Sequence, residues 1–392
     1  MRIGILQHGD FAEAFERFAE GGAETYYAQR YSVDLVSNLA QTADFVGVCS
    51  TLAESGPEKE LAPGLVAAPV PYRNGGLDAR AICALFDKWA IDRLILRSPS
   101  PGVLSWALRR GVLTLPIFAD SWETAGWRKA LKARWLARLL NREAISLVAN
   151  HNIPACLSLE RIGVKPEKIF PWDWPHEHTP QAYRAKTLSD GPPLIVSVGV
   201  ISESKGSGDC IKAAAALKQS GVAFEWIMIG AGPFEDAAKA QIAALGLGDR
   251  VKMLGRQPHD AVLSYLEKAT ISVVASRHAY PEGLPMTIYE TLATRTPLIL
   301  TDHPMFQLFF RDQPAIAMTP ERSPPAMSAA IAALLTDSAR YAEASAATGA
   351  LWSTIKCDLL WGDIVKTWLG DPGAARATLK DGALPAVLGR PG

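Results

Sequence analysis

The sequence predicts an α/β protein built from two doubly wound parallel sheets. Three observations carry this. Short runs rich in Val, Ile and Leu alternate with helical segments along most of the chain, the pattern of parallel strands covered on both faces. In the second half those strands end at Gly199, Gly230 and Gly255, where a turn toward a helix is needed. A length of 392 residues exceeds what one hydrophobic core usually serves, so two domains are expected.

Residues 1–7 read as a buried strand. A polar, flexible stretch follows, ending in Gly21-Gly22-Ala23-Glu24, and then a helix to about Ala40. Asp44–Cys49, Leu65–Val70, Arg93–Leu96, Leu113–Phe118 and Ile145–Val148 read as further strands. Lys168–Asp190 is rich in Pro, Trp and His and has no period, so it reads as a linker. The first domain is placed at 1–185 and the second at 186–350. In the second, Leu194–Val198, Phe224–Ile229, Val251–Leu254, Ile271–Val274 and Leu298–Leu300 read as strands with helices between them. A helix within 351–371 is expected to cross back to the first domain. Residues 372–392, rich in Gly, Pro and Ala, read as a loose tail.

Composition narrows the function. Forty basic and forty acidic residues cancel, so no global field draws the chain to nucleic acid. Cys49, Cys83, Cys156, Cys210 and Cys357 are scattered and lack metal-ligand spacing. They read as reduced thiols of a cytoplasmic protein. The start is too short and too soon interrupted for a signal peptide, and no apolar run approaches the roughly 18 residues of a membrane span. A membrane role would be peripheral, at the inner face.

One stretch concentrates chemistry: Ser276-Arg-His-Ala-Tyr-Pro-Glu-Gly-Leu-Pro-Met-Thr-Ile-Tyr-Glu290. Gly283 lets the backbone approach a ligand, and Pro285 suits the first turn of a helix. The free N–H groups of that turn, near Met286 and Thr287, suit a diphosphate. Glu282 and Glu290 flank this change; if mostly helical, the interval spans roughly 12 Å, about the reach from ribose to sugar in a nucleotide-sugar. Leu284, Ile288 and Leu292 form the core stripe, and Glu290 lies off it. Lys205, between a strand end and a helix start and followed by Gly206, places a cation where a leaving diphosphate would need one.

These residues resemble the retaining nucleotide-sugar glycosyltransferases of the GT-B type, the Glu-x7-Glu family (glycosyltransferase family 4, glycosyl transferases group 1). Glu282–Glu290 carries the likeness, with Gly199 before Ser204-Lys205-Gly206, Gly230-Ala231-Gly232-Pro233, Val251–Gly255 and Thr301-Asp302-His303-Pro304. It covers about 190–370; in the first domain only Gly21-Gly22-Ala23-Glu24 is similar to the family's glycine loop. The resemblance implies two Rossmann-like domains facing each other across a cleft. It implies transfer of a sugar, with retention of configuration, to a glycan, glycolipid or small-molecule acceptor, as in polysaccharide biosynthesis. A UDP-sugar is the favoured donor. Glu282, Lys205 and Asp120 are the catalytic candidates. Glu290, Gly22, Gly206, Gly230, Arg256, Gly283, Leu284, Pro285, Met286 and Thr287 are the donor-binding ones. No cofactor is expected, and no Asp-x-Asp occurs to support a bridging metal.

Each candidate has a plainer reading. Asp120 is equally a cap of the next helix, a role for which Ser121 competes. His8, at the end of the first strand, is a weaker candidate. His176-Glu177-His178 offers two metal ligands without a third and reads as a solvated loop. Residues 127–142 are strongly basic, with an i,i+4 stripe of Trp127, Leu131, Trp135 and Leu139; peripheral membrane contact competes there with a packing helix whose long side chains snorkel. Val200 stands where the family has Arg, Ala119 where it often has His, and Arg295 where it has Gly. These departures keep open a nucleotide-sugar-binding or scaffold protein without turnover, and a sugar phosphorylase or epimerase on the same fold.

Overall fold

A computed structural model describes residues 1–52, 54–73, 76–122 and 126–390, with the main chain only at Tyr72 and Arg73. The chain divides into two compact units: Met1–Glu24, Ala28–Pro175 and Cys357–Gly392 form the first, Thr25–Tyr27 and His176–Lys356 the second.

The first unit is built on a nine-stranded sheet. Its strands are β1 (Arg2–His8), β2 (Phe45–Leu52), β3 (Lys59–Ala62), β4 (Leu65–Arg73), β5 (Gly76–Leu77), β6 (Arg93–Leu96), β7 (Leu113–Phe118), β8 (Val148–His151) and β9 (Ile169–Trp172). The order is β3-β4-β2-β1-β6-β7-β8-β9, with β5 paired to β4. β3 and β5 run antiparallel to β4, and the other pairs are parallel. Successive side chains of a strand face opposite ways. Ile3, Ile5 and Ile95 thus enter a cluster with Phe11, Phe18, Val36, Trp361 and Trp368. Leu6, Leu94 and Leu96 enter the opposite cluster, with Phe86, Leu104, Leu136 and Leu140. Two covered faces explain why the middle of β1, Ile3–Leu6, carries no polar side chain on either face.

Four elements differ from expectation. The stretch after β1 is a helix, Phe11–Ala19, capped by the Asp10 side chain accepting from the Glu13 N–H. Phe11, Ala14 and Phe18 form its buried face. Ile169–Trp172 is a fully buried edge strand rather than linker. Pro171 is tolerated there because an edge strand has one side without ladder bonds. The chain passes to the second unit directly afterwards, at His176. A further strand, Ile316–Thr319, was not anticipated. The tail from 372 is not loose: Ala375–Thr378 and Leu384–Val387 are short helices, and Leu384 is fully buried in the first unit's core. Just before it, Trp361–Gly370 buries Trp361, Ile364, Val365 and Trp368, each worth about 1.5–3 kcal/mol of burial.

The second unit has a six-stranded parallel sheet of β10 (Leu194–Val198), β11 (Glu225–Ile229), β12 (Val251–Met253), β13 (Ile271–Val274), β14 (Leu298–Thr301) and β15 (Ile316–Thr319). The order β12-β11-β10-β13-β14-β15 is the doubly wound order 3-2-1-4-5-6. The winding reverses between β10 and β13. In such sheets the loops leaving the carboxyl ends of those two strands part to opposite faces and leave a crevice where ligands bind. The position of a site in this unit is therefore fixed by topology before any side chain is considered.

Candidate functional site

Two loops meet at that reversal. The loop after β10 runs from Gly199 to Gly206, and the loop after β13 from Ala275 to Pro285. Gly206 has φ 71°, and a Cβ there would lie 2.1 Å from the Ala275 carbonyl oxygen. Only glycine allows this approach. The Arg277 N–H donates to the Ser204 carbonyl at 2.8 Å, and the Thr301 hydroxyl donates to the Ser276 carbonyl at 2.5 Å. A Cβ on Gly230 would meet the Gly199 carbonyl at 1.9 Å, so the loop after β11 presses against the same place.

Lys205 and Glu282 come together here. The Lys205 ammonium donates to Glu282 Oε1, which also accepts from the Ser276 hydroxyl at 2.5 Å. The ammonium lies 4.3 Å from the Tyr280 ring centroid. Glu282 is 5% exposed, so its charge is held in place by these donors rather than by water. His303 steadies the loop from behind. Its Nδ1 accepts from the Met305 N–H, which leaves the proton on Nε2 to donate to the Tyr280 carbonyl at 3.0 Å. Burial lowers the His303 pKa, consistent with a neutral ring.

The helix that follows is Met286–Ala293, with Pro285 at its N-cap and no side chain capping it. The helix after β10, Ser207–Gln219, likewise starts without a side-chain cap. The first turn at Met286 and Thr287 keeps donor N–H groups for an anion, whereas those of Ser207 and Asp209 already donate to the Ser202 and Gly206 carbonyls. Leu284, Ile288 and Leu292 are buried in one cluster; for Leu284 only the main chain is left to meet a ligand. Glu290 is 5% exposed and pairs with His259 Nε2 at 2.5 Å. His259 opens the helix His259–Lys268 after β12, and Tyr27 packs edge-on against its ring at 5.4 Å. Sequence reasoning missed His259. Its position, at the start of a helix after a strand of the same sheet, was the available signal.

The remaining candidates are spread more widely. Gly230 ends β11. Arg256 follows β12, is exposed, and makes no ion pair among the described residues. Arg277, in the loop after β13, is not a free cation standing in for the one missing at Val200. It is instead committed to Asp209, with bonds of 2.9 and 3.1 Å, and Asp209 is itself buried. His278 bonds Asp302 at 2.8 Å. His176 and His178 are not a solvated loop: His176 stacks on Tyr289 at 4.7 Å, and His178 bonds the Tyr183 hydroxyl at 3.0 Å.

Gly22 and Asp120 belong to the first unit. Arg17 and Arg30 bind the Gly21-Gly22 loop, Arg30 donating to the Gly22 carbonyl at 3.0 Å and Arg17 to that of Ala23. The Glu24 carboxylate accepts from the Arg30 N–H at 2.5 Å. Asp120 follows β7, and burial pushes its carboxyl up to about 6. The helix after it starts at Trp127, with Gly126 at its N-cap, so neither Asp120 nor Ser121 caps it. At the end of β1, His8 Nδ1 lies 2.5 Å from the Thr51 hydroxyl. Arg97 is bound to Gln7 and Ser32 at 2.7 and 3.0 Å.

Comparison with known proteins places the second unit. Residues 180–349 match the family described as glycosyl transferases group 1. The amylovoran biosynthesis glycosyltransferase AmsK of Erwinia amylovora is 31% identical over 150 residues, covering 38% of this chain and 34% of that protein. The match thus spans about a third of the relative's length. Two solved structures align over nearly the whole chain at 14% identity. Sucrose-phosphate synthase of Thermosynechococcus elongatus has a TM-score of 0.64 and covers 95% of this chain and 99% of its own. Anabaena HepE in complex with UDP and glucose has a TM-score of 0.65, with coverages of 95% and 100%. At that identity the likeness is one of fold: two Rossmann-like sheets of the GT-B type.

Proposed function

We propose that this chain is a glycosyltransferase that moves a sugar from a nucleotide-sugar, with UDP as the favoured nucleotide, to a hydroxyl of a glycan, glycolipid or small molecule. The observation that carries this reading is the pairing of the half-buried Lys205 with the buried Glu282 at the reversal between β10 and β13, inside the stretch matching the glycosyltransferase family. Glu290 supports it from the next helix. HepE, a fold neighbour, was solved with UDP and glucose, and AmsK is named as an amylovoran biosynthesis glycosyltransferase.

In this reading Glu290 accepts hydrogen bonds from the ribose hydroxyls and His259 holds its carboxylate in place. The diphosphate lies against the uncapped first turn at Met286 and Thr287, within reach of the Lys205 ammonium. Glu282 both positions Lys205 and meets the sugar end. When the bond from the anomeric carbon to the diphosphate oxygen breaks, the electron pair leaves with the diphosphate. Lys205 and the helix amides stabilise that charge. The acceptor oxygen bonds the anomeric carbon from the same face, and its proton passes to the departing diphosphate, giving retention without a separate base. No resident metal enters this scheme.

One observation favours a second reading, a binding protein without turnover. Val200, 46% exposed, occupies the place of a phosphate-binding cation, and Arg277 is tied to Asp209. A panel of UDP-, GDP- and ADP-sugars with added acceptors separates the two. Acceptor-dependent release of nucleotide with net retention supports transfer. Binding without release supports the second reading, and neither binding nor release removes both.

A further inference from the structure

The helix Trp127–Leu140 of the first unit turns three residues of its apolar stripe outward, while the fourth, Leu139, packs against the core. Its core contacts are made by Ala133, Leu136, Ala137 and Leu140. Trp127, Leu131 and Trp135 are 73%, 63% and 48% exposed. At 100° per residue these two sets fall on opposite sides of the helix. The expected packing helix is therefore present, but with its large side chains on the wrong side for packing. Three large apolar groups in a row are more than a solvated surface usually shows.

The cations accompany that stripe. Arg128, Lys132, Arg134 and Arg138 are exposed and have no carboxylate partner among the described residues. The helix sequence contains no Asp or Glu. The Arg128 guanidinium lies 5.2 Å from the Trp127 ring centroid. Together with Trp127, Leu131 and Trp135, the four cations line a concavity of about 640 Å³. Indole and guanidinium groups share a preference for the boundary between acyl chains and headgroups, where one end of each is dry and the other wet.

The geometry points to this helix as the part of the first unit that docks on an anionic lipid surface. Trp127, Leu131 and Trp135 enter the acyl boundary, and Arg128, Lys132, Arg134 and Arg138 meet lipid phosphates. Charge decides the occupant. An apolar stripe alone would suit any greasy partner, whereas this one is flanked on both sides by cations with no acid among them. The assignment uses no residue of the donor site and stands or falls apart from the proposed transfer.

The test is co-sedimentation of the full chain with phosphatidylcholine vesicles and with vesicles also containing phosphatidylglycerol. The chain should bind the anionic vesicles at least about tenfold more tightly. Binding should weaken in 1 M salt, where the screening length falls to about 3 Å. The triple variant Trp127→Ser, Leu131→Ser, Trp135→Ser should lose tenfold or more of that binding with unchanged circular dichroism. The variant Arg134→Glu, Arg138→Glu, which spares the stripe, should lose the preference for anionic lipid. The inference is overturned if the chain binds neither vesicle, if it binds both equally, or if both variants bind as the parent does. A dimer that the triple variant breaks, without vesicle binding, would make the face a contact between copies and would also overturn it.

Discussion

The Lys205 ammonium and the Glu282 carboxylate are bonded across 77 residues of sequence, joining the loops that leave two adjacent strands of one sheet. With side chains 18% and 6% exposed, neither charge is free of the other. Removing one partner of a buried pair leaves the other uncompensated. Lys205→Ala should therefore lower stability by about 1–3 kcal/mol while slowing transfer about a hundredfold or more. Glu282→Gln keeps the Ser276 hydroxyl bond and should cost less in stability. A double-mutant cycle on urea midpoints should give a coupling of about 1 kcal/mol or more. Additive midpoints would show that the pair is incidental.

In the proposed reading Glu290 is the contact with the nucleotide and His259, paired with it at 2.5 Å, is its support. Glu290→Ala should weaken nucleotide binding about tenfold to a hundredfold, the worth of charged hydrogen bonds to hydroxyls. His259→Ala should cost less, and His259→Gln should restore most of the loss by donating to the same carboxylate. If His259→Ala is the worse of the two, the imidazole itself meets the ligand and the assigned roles are reversed.

Asp120 predicts a pH dependence. Its carboxyl stands at about 6, against an ordinary value of 3.8, because burial disfavours the anion. The folded state thus holds this proton more tightly than the unfolded state, so stability is lost as pH rises from about 4 through 6. Asp120→Asn removes the burden. It should be about 2 kcal/mol more stable than the parent at pH 7.5 and equal to it at pH 4. Urea unfolding at both values checks this; a constant difference between them would assign Asp120 an unshifted carboxyl.

Arg295 has φ 63°, one residue past the Thr294 C-cap of the helix that carries Glu290. This is the left-handed position where glycine is favoured. The arginine adopts the glycine conformation, and its side chain donates to the Ala346 carbonyl at 3.1 Å. The substitution therefore leaves the helix end in place. Arg295→Gly should change stability by less than about 1 kcal/mol and nucleotide affinity by less than twofold, the relieved strain offsetting the lost bond. Arg295→Val, β-branched at positive φ, should cost about 2 kcal/mol. Equal thermal midpoints for the two variants would refute this.

Much of the second unit was legible because local signals agree with topology. Gly199, Gly230 and Gly255 follow strand ends and turn the chain at positive φ, and Leu284, Ile288 and Leu292 announce a buried helix face. The Phe11–Ala19 helix is misread as a loop because of the polar residues between Phe11, Ala14 and Phe18, although these three form its buried face. What the sequence concealed was pairing at a distance. His259 reaches Glu290 across 31 positions, and Arg277 reaches Asp209 across 68; neither leaves a periodic trace. The direction of the Trp127 stripe was equally hidden. Periodicity shows that a helix has an apolar face, not whether that face turns inward, and here Ala133 and Ala137 take the inner side.

Calorimetric titration of UDP into the intact chain and into Glu290→Ala tests the central claim most directly. The account predicts a single site on the parent and at least tenfold weaker binding to the variant. Equal affinity for the two proteins, or no heat with UDP, GDP or ADP, would contradict it.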